Sequence, residues 1–176
     1  MQGMIRAFGG FLLLLTAGCA SHAVPAGSAG TPAEPKVALL PPPSTAPMQC
    51  VPYARVVSGV DLRGDAWTWW GQADGHYGRG KKPRAGAVLV FAKTKRLPRG
   101  HVSVVTKIVA PREILVTHAN WSSADDERGQ VTSNVRIIDI SPGNDWSELR
   151  VWNDDIDDFG LVYPAKGFIY PGAAGA

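Results

Sequence analysis

His101-Val102-Ser103-Val104-Val105-Thr106-Lys107-Ile108-Val109, then Ala110-Pro111-Arg112-Glu113, then Ile114-Leu115-Val116-Thr117-His118-Ala119-Asn120: this stretch decides the fold. Its two flanks are rich in β-branched residues and alternate in polarity, and the middle carries turn chemistry, so it predicts a β-hairpin. If Val109 pairs with Ile114, Val105 faces His118 and Ser103 faces Asn120. Side chains alternate across a strand, so His101, His118 and Asn120 then point to one face of the sheet. A slip of one residue would break that shared face.

Outward from the hairpin, Pro83 to Gly86 reads as a turn and Ala87-Val88-Leu89-Val90-Phe91 as a buried strand. Val135 to Ile140 and Leu149 to Trp152 read as two further strands, separated by the turn residues Ser141-Pro142-Gly143-Asn144. Upstream the period changes. Pro52 is tolerated in a first helical turn, and Tyr53 to Ser58 continues a helix that Gly59 ends, with Cys50 at its start. A second helix is expected from Asp65, a good N-cap, to Ala73, which would put Trp67 and Trp70 on one face. Helices first and an antiparallel sheet after them is an α+β order.

The chain has 176 residues, and residues 48–176 suffice for one domain. Residues 1–19 read as a targeting segment: a charged start at Arg6, an apolar run centred on Phe11 to Leu15, and a small-residue exit. The apolar run is too short for a membrane span, which needs about 20 such residues. Leu15-Thr16-Ala17-Gly18-Cys19 resembles a bacterial lipobox, with Thr16 where Leu is commoner, and makes Cys19 a candidate for lipidation. The alternative is cleavage after Ser21-His22-Ala23, which would release a soluble exported protein. Residues 20–47 are rich in Ala, Pro, Gly and Ser and read as a linker, reaching at most roughly 80 Å at about 3.1 Å per residue. The expected location is the periplasmic side of a bacterial membrane, with a lipid anchor through Cys19.

The chain has two cysteines. If Cys19 is acylated, Cys50 has no partner, and an unpaired thiol outside the cytoplasm invites a catalytic reading. A Cys19–Cys50 disulfide would close a loop made mostly of linker and staple nothing to the core. At a helix start, unpaired N–H groups and the helix dipole favour a thiolate, the nucleophilic form. His101, which opens a strand after Gly100, is the candidate base. His118 or Asn120 could hold its imidazole in the right tautomer. Gln49 and the backbone N–H of Cys50 are candidates for binding an oxyanion. Each has a bland counterpart: Cys50 as a small buried hydrophobe, His101 as a structural histidine, His118 as a solvent-facing strand residue.

Gln49-Cys50-Val51-Pro52-Tyr53-Ala54, Gly86 to Phe91, Gly100 to Val105 and Thr117-His118-Ala119-Asn120-Trp121, in this order and spacing, resemble the CHAP family of cysteine amidohydrolases and peptidases. The resemblance spans about Met48 to Trp121. It implies a papain-like (NlpC-type) α+β fold, with N-terminal helices packed on an antiparallel sheet, and cleavage of amide bonds in peptidoglycan. It also implies Cys50 as nucleophile and His101 as base. The family often carries an acidic residue where this chain has His118. A neutral imidazole there orients His101 but stabilises an imidazolium less. Related NlpC-type peptidases place a His in this third role, and papain-like enzymes an Asn. Some relatives bind calcium through acidic residues just before the Cys, and this chain has none there. The run Asn153 to Asp158 lacks the Gly and Glu of an EF-hand loop, so no metal and no cofactor is expected.

A net charge of +3 suits an anionic envelope without specifying nucleic acid. Lys81, Lys82 and Arg84 form one basic cluster, and Lys93, Lys95, Arg96 and Arg99 another. They read as solvated loops or as contacts to anionic wall polymers. His76 reads as a loop residue. Of the six tryptophans, most are expected in the core, and Trp121, beside Asn120, is the candidate to grip a sugar or stem peptide. The sequence thus leaves two functions: a peptidoglycan hydrolase, and a wall-binding lipoprotein on the same fold that does not cut.

Overall fold

The computed structural model describes residues 47–121 and 129–173. The targeting segment, Cys19, nearly all of the linker, and most of the loop that leads from Trp121 to Val131 lie outside them.

Cys50–Ser58 forms helix α1, and Gly59 closes it in a left-handed conformation, φ 74°. That is the end the sequence signals, because glycine adopts this conformation without a Cβ penalty. The second expected helix is broken in two. Ala66–Thr68 is a 3-10 turn, and only Trp69–Gln72 is α-helical (α2). Asp65 makes no side-chain cap. The Trp67 N–H that a cap would serve donates instead to the Arg99 carbonyl, 3.1 Å away. Trp67 is therefore held outward and Trp69, not Trp67, is fully buried.

Seven strands follow: β1 (Tyr77–Gly80), β2 (Val88–Phe91), β3 (His101–Ala110), β4 (Glu113–Ala119), β5 (Val131–Asp139), β6 (Glu148–Asn153) and β7 (Asp158–Ala173). Their order is β1-β7-β2-β3-β4-β5-β6, all pairs antiparallel, and β7 also pairs with β6. Six strands, β2 to β7, thus close into a barrel. The fold is mostly β, and the α+β expectation of helices on an antiparallel sheet holds only in part. The helices form a small layer on one side of a closed sheet.

The strand that closes the barrel is the one the sequence hides. β7 carries Gly160, Pro164, Gly167 and Pro171, which interrupt any alternation. Its first half pairs with β6 (Leu149 with Tyr163) and its second half with β2 (Val88 with Ile169) and β1. Gly167 lets it bend between these partners. At φ 125° a Cβ there would lie 2.5 Å from the Gly80 carbonyl oxygen.

β2 is buried on both faces. Leu89 and Phe91 join Val105, Ile114, Val116, Trp146 and Phe168 in one apolar cluster. Val88 and Val90 join Val102, Val104 and Ile169 in the other, under Ala54, Val60 and Trp69 of the helical layer. The continuous apolar run of β2 is the signature of such a position. The second cluster seats α1 against β3, and so fixes where the first residue of α1 lies.

The hairpin register differs from the expectation by two residues at its open end. Ala110 pairs with Glu113, Ile108 with Ile114, and Val104 with Thr117, with irregularities at Ile108/Ala110 and Val105/Lys107. Each slip alone would move the polar residues to the wrong face. Two of them restore the parity, so His101 and His118 still share one side.

Candidate active site

Cys50 is the first residue of α1, and Gln49 is its N-cap, extended at φ −87°, ψ 152°. The thiol is half-buried and unpaired. Backbone N–H groups of Val102, Val51 and Cys50 itself act to lower its pKa, but burial is the larger effect and raises it. The expected thiolate is therefore not the resting form: the helix start supplies donors, and desolvation outweighs them.

His101 opens β3. Gly100 before it sits at φ 68°, and a Cβ there would lie 2.6 Å from the Trp67 backbone nitrogen. Only glycine lets the 3-10 turn approach the strand this closely, and the approach places His101 at the barrel rim. His101 Nε2 lies 3.1 Å from His118 Nδ1, with the rings nearly perpendicular at 80°. Both imidazoles are buried. Desolvation pushes His118 down to about 3, and desolvation together with the charge of His118 pushes His101 well down. Two neutral rings remain, and one must donate to the other. When His101 donates from Nε2, its Nδ1 is left to take a proton, and His118 Nδ1 is the acceptor that fixes this tautomer.

Aromatic rings wall the pair. Trp121 stacks on His118, 5.4 Å between centroids and 22° between planes, and tilts over His101 at 4.7 Å. Phe91 meets His101 edge-on at 5.5 Å, and Tyr163 meets Trp121 at 5.1 Å. Trp121, expected to grip substrate, thus has much of its ring against the histidines while it lines the cleft. His118 Nε2 and Ser103 Oγ are buried with no hydrogen-bond partner among the described residues.

Among the described residues the Asn120 side chain bonds Gln49 and Gly129 rather than His101. Asn120 ends β4 in a left-handed conformation, φ 59°, and its Nδ2 donates to Gln49 Oε1 at 2.9 Å. Tyr53, read from sequence as a helix residue of the Gln49 to Ala54 stretch with no role of its own, bonds Thr117 Oγ1 at 2.7 Å and Thr117 donates to the Thr132 carbonyl. That buried chain locks α1, which carries the thiol, to β4, which carries His118.

Gln49, Cys50, His101, His118, Asn120 and Trp121 all line one open cleft of about 1220 Å³. Lys95, Arg96 and Arg99 border it on one side, and Trp152, Asp154 and Asp155 also line it. Lys93 of the same basic cluster lies over Trp67, and Arg84 of the other lies over Tyr170. His76 is exposed in a turn beside a separate hollow.

No curated protein matches the chain. The family model described as CHAP domain matches residues 41–120, a span that includes Cys50, His101, His118 and Asn120. By that match, and by the order of thiol, histidine pair and asparagine along it, residues 41–120 are similar to the CHAP domain family.

Proposed function

We propose that the protein is a cysteine hydrolase that cleaves amide bonds of peptidoglycan through an acyl-enzyme on Cys50. The CHAP family carries peptidoglycan-hydrolysing amidase or peptidase activity in general, which supports the substrate class. The observation that carries the cysteine mechanism is the His101–His118 contact of 3.1 Å, in the cleft that Cys50 also lines. Cys50 Sγ attacks the amide carbonyl carbon, and its proton passes to His101 Nδ1. His118 accepts from His101 Nε2 as that ring becomes cationic. His101 then protonates the leaving amine as the C–N bond breaks, and water hydrolyses the thioester by the reverse proton path. Because the resting pair is neutral, thiol deprotonation accompanies attack rather than preceding it.

The reading extends to an exported protein tethered by lipid at Cys19, with residues 20–47 as the stand-off. The experiment is digestion of purified peptidoglycan by the protein, wild type beside Cys50→Ala, with fragments identified by mass. Fragments that disappear in Cys50→Ala support the hydrolase and name the bond. A second reading, a wall-binding protein that does not cut, is favoured by the burial that holds thiol and imidazoles neutral. Wall binding without fragments, and a thiol inert to iodoacetamide, would select it.

A further inference from the structure

We propose that Asn120 is a positioning residue that sets the polarity of the Gln49 carboxamide, so that Gln49 offers Nε2 to the oxyanion formed at Cys50. This rests on the acyl-transfer reading above.

The argument starts from a backbone group that cannot change roles. The Gly129 N–H donates to Asn120 Oδ1 at 2.9 Å. A peptide N–H only donates, so the Asn120 amide has one permitted orientation, with Nδ2 on its other side. Nδ2 lies 2.9 Å from the Gln49 side chain, and a donor there requires the facing Gln49 atom to be Oε1. The remaining end of the Gln49 amide is therefore Nε2, a donor. Polarity is passed from a fixed peptide through two side chains to the residue next to the nucleophile.

Three further observations make this arrangement specific. Gln49 is the N-cap of α1, yet its side chain makes no bond to its own helix. An N-cap side chain normally serves the free N–H groups there, so this one is diverted. Asn120 takes φ 59°, a region that Asn tolerates better than most residues, and this turns it out of the β4 ladder. The Gly129 carbonyl accepts from the Met48 N–H at 2.7 Å, and the Asn120 N–H donates to the Gln130 carbonyl at 2.9 Å. The main chain on both sides of the relay is thus held, and Gln49 cannot be reoriented without breaking it. Gln49, Asn120 and Cys50 line the same cleft.

A donor aimed at developing oxyanion charge accelerates acyl transfer but leaves alkylation of a thiol untouched, because alkylation forms no oxyanion. The test compares two probes of Cys50. p-Nitrophenyl acetate acylates it: Sγ–C forms, C–O breaks, p-nitrophenolate leaves, and the thiol proton goes to His101. Iodoacetamide alkylates it. The background from other nucleophiles is taken from Cys50→Ala. The variants are Asn120→Gly, which keeps the left-handed backbone without strain, and Asn120→Asp, which keeps the bond from Gly129 but cannot donate to Gln49.

In both, the ratio of acylation to alkylation rate should fall about tenfold or more. Asn120→Gly in a Gln49→Ala background should cost nothing further. If both rates fall together, Asn120 acts on the thiol or His101, and the proposal is overturned. An unchanged ratio overturns it too. Wild type with no Cys50-dependent nitrophenolate release sinks both this proposal and the hydrolase. Nitrophenolate release with the expected ratios, but no peptidoglycan fragments, keeps the positioning role and removes only the substrate.

Discussion

The β3–β4 hairpin carries a buried polar cluster at each end, and the two are built on opposite terms. At the closed end the Asp139 side chain is fully buried and fully served. Ser141 donates to its Oδ1 from backbone N at 2.8 Å and from Oγ at 2.6 Å, and Arg112 Nη1 reaches Oδ2 at 3.3 Å. Asn144, with its amide nitrogen turned inward, donates to the same carboxylate at 2.8 Å. At the open end the two imidazoles share one hydrogen bond, and His118 Nε2 has no partner among the described residues. A buried carboxyl group is held where donors converge on both its oxygens, and two imidazoles are held where partners are few. The first end holds the turn together. The second keeps a proton acceptor that is not already committed.

The comparison breaks most sharply at His101. His101→Gln, which keeps much of the buried ring's volume and a donor toward His118, should lower peptidoglycan hydrolysis by about a thousandfold, the usual scale for losing a general base, while leaving the unfolding midpoint nearly unchanged. A large loss of stability instead would make this end structural like the other. Asp139→Ala should do the reverse. Losing the buried carboxylate leaves the Ser141 N–H and hydroxyl without their acceptor, which costs about 1–3 kcal/mol, read by urea unfolding, and iodoacetamide labelling of Cys50 in the folded variant should match wild type.

Acid separates the ends next. His118 titrates at about 3 when folded and near 6.5 when unfolded, so the unfolded chain binds the extra proton below 6.5. Stability from this group is complete above that pH and is lost as pH falls toward 3. Between pH 7 and pH 5 the loss from His118 is about 2 kcal/mol, and His118→Asn should remove that share while leaving the part that buried His101 adds. An equally steep loss in His118→Asn would assign the acid sensitivity to other groups. The smallest effect is at Ser103. Its hydroxyl is buried beside the histidine strand with no partner among the described residues, so Ser103→Ala should change stability by less than about 1 kcal/mol, in either direction. A loss above that would reveal a bond at Ser103 Oγ.

The two ends also differ in how far the sequence discloses them. The closed end is read from Ala110-Pro111-Arg112-Glu113, and the turn stands where expected between Ala110 and Glu113. Towards the open end the register is two residues off, because bulges leave no mark in a β-branched run. The histidines stay on one face only because the slips number two. Asn120 was a candidate to orient His101, and its reach to Gln49 depends on a positive φ and on Gly129, which a pairing rule cannot supply. The strands β2 to β6 are legible from alternation or from continuous apolar runs. β1 and β7 are not, since Tyr77-Gly78-Arg79-Gly80 and the Gly- and Pro-studded β7 lack both patterns. Without β7 the sheet has no way to close, which is why the sequence suggests helices on a sheet and the structure is a barrel. The thiolate expectation fails for a different reason: a helix start is local and readable, while burial of Cys50 is set by strands distant in sequence.

β7 is the last strand and the one that joins both margins of the sheet, pairing Ile169 with Val88 and Tyr163 with Leu149. A chain that emerges N-terminus first, from a ribosome or through a pore, exposes Cys50 and His101 well before Ile169 arrives. Pairings this far apart in sequence form late, because the intervening loop must be closed before they can contribute. The cleft that Cys50 and His101 line is therefore complete only when β7 is in place, and a chain stopped short of it holds these residues without the closed barrel that positions them.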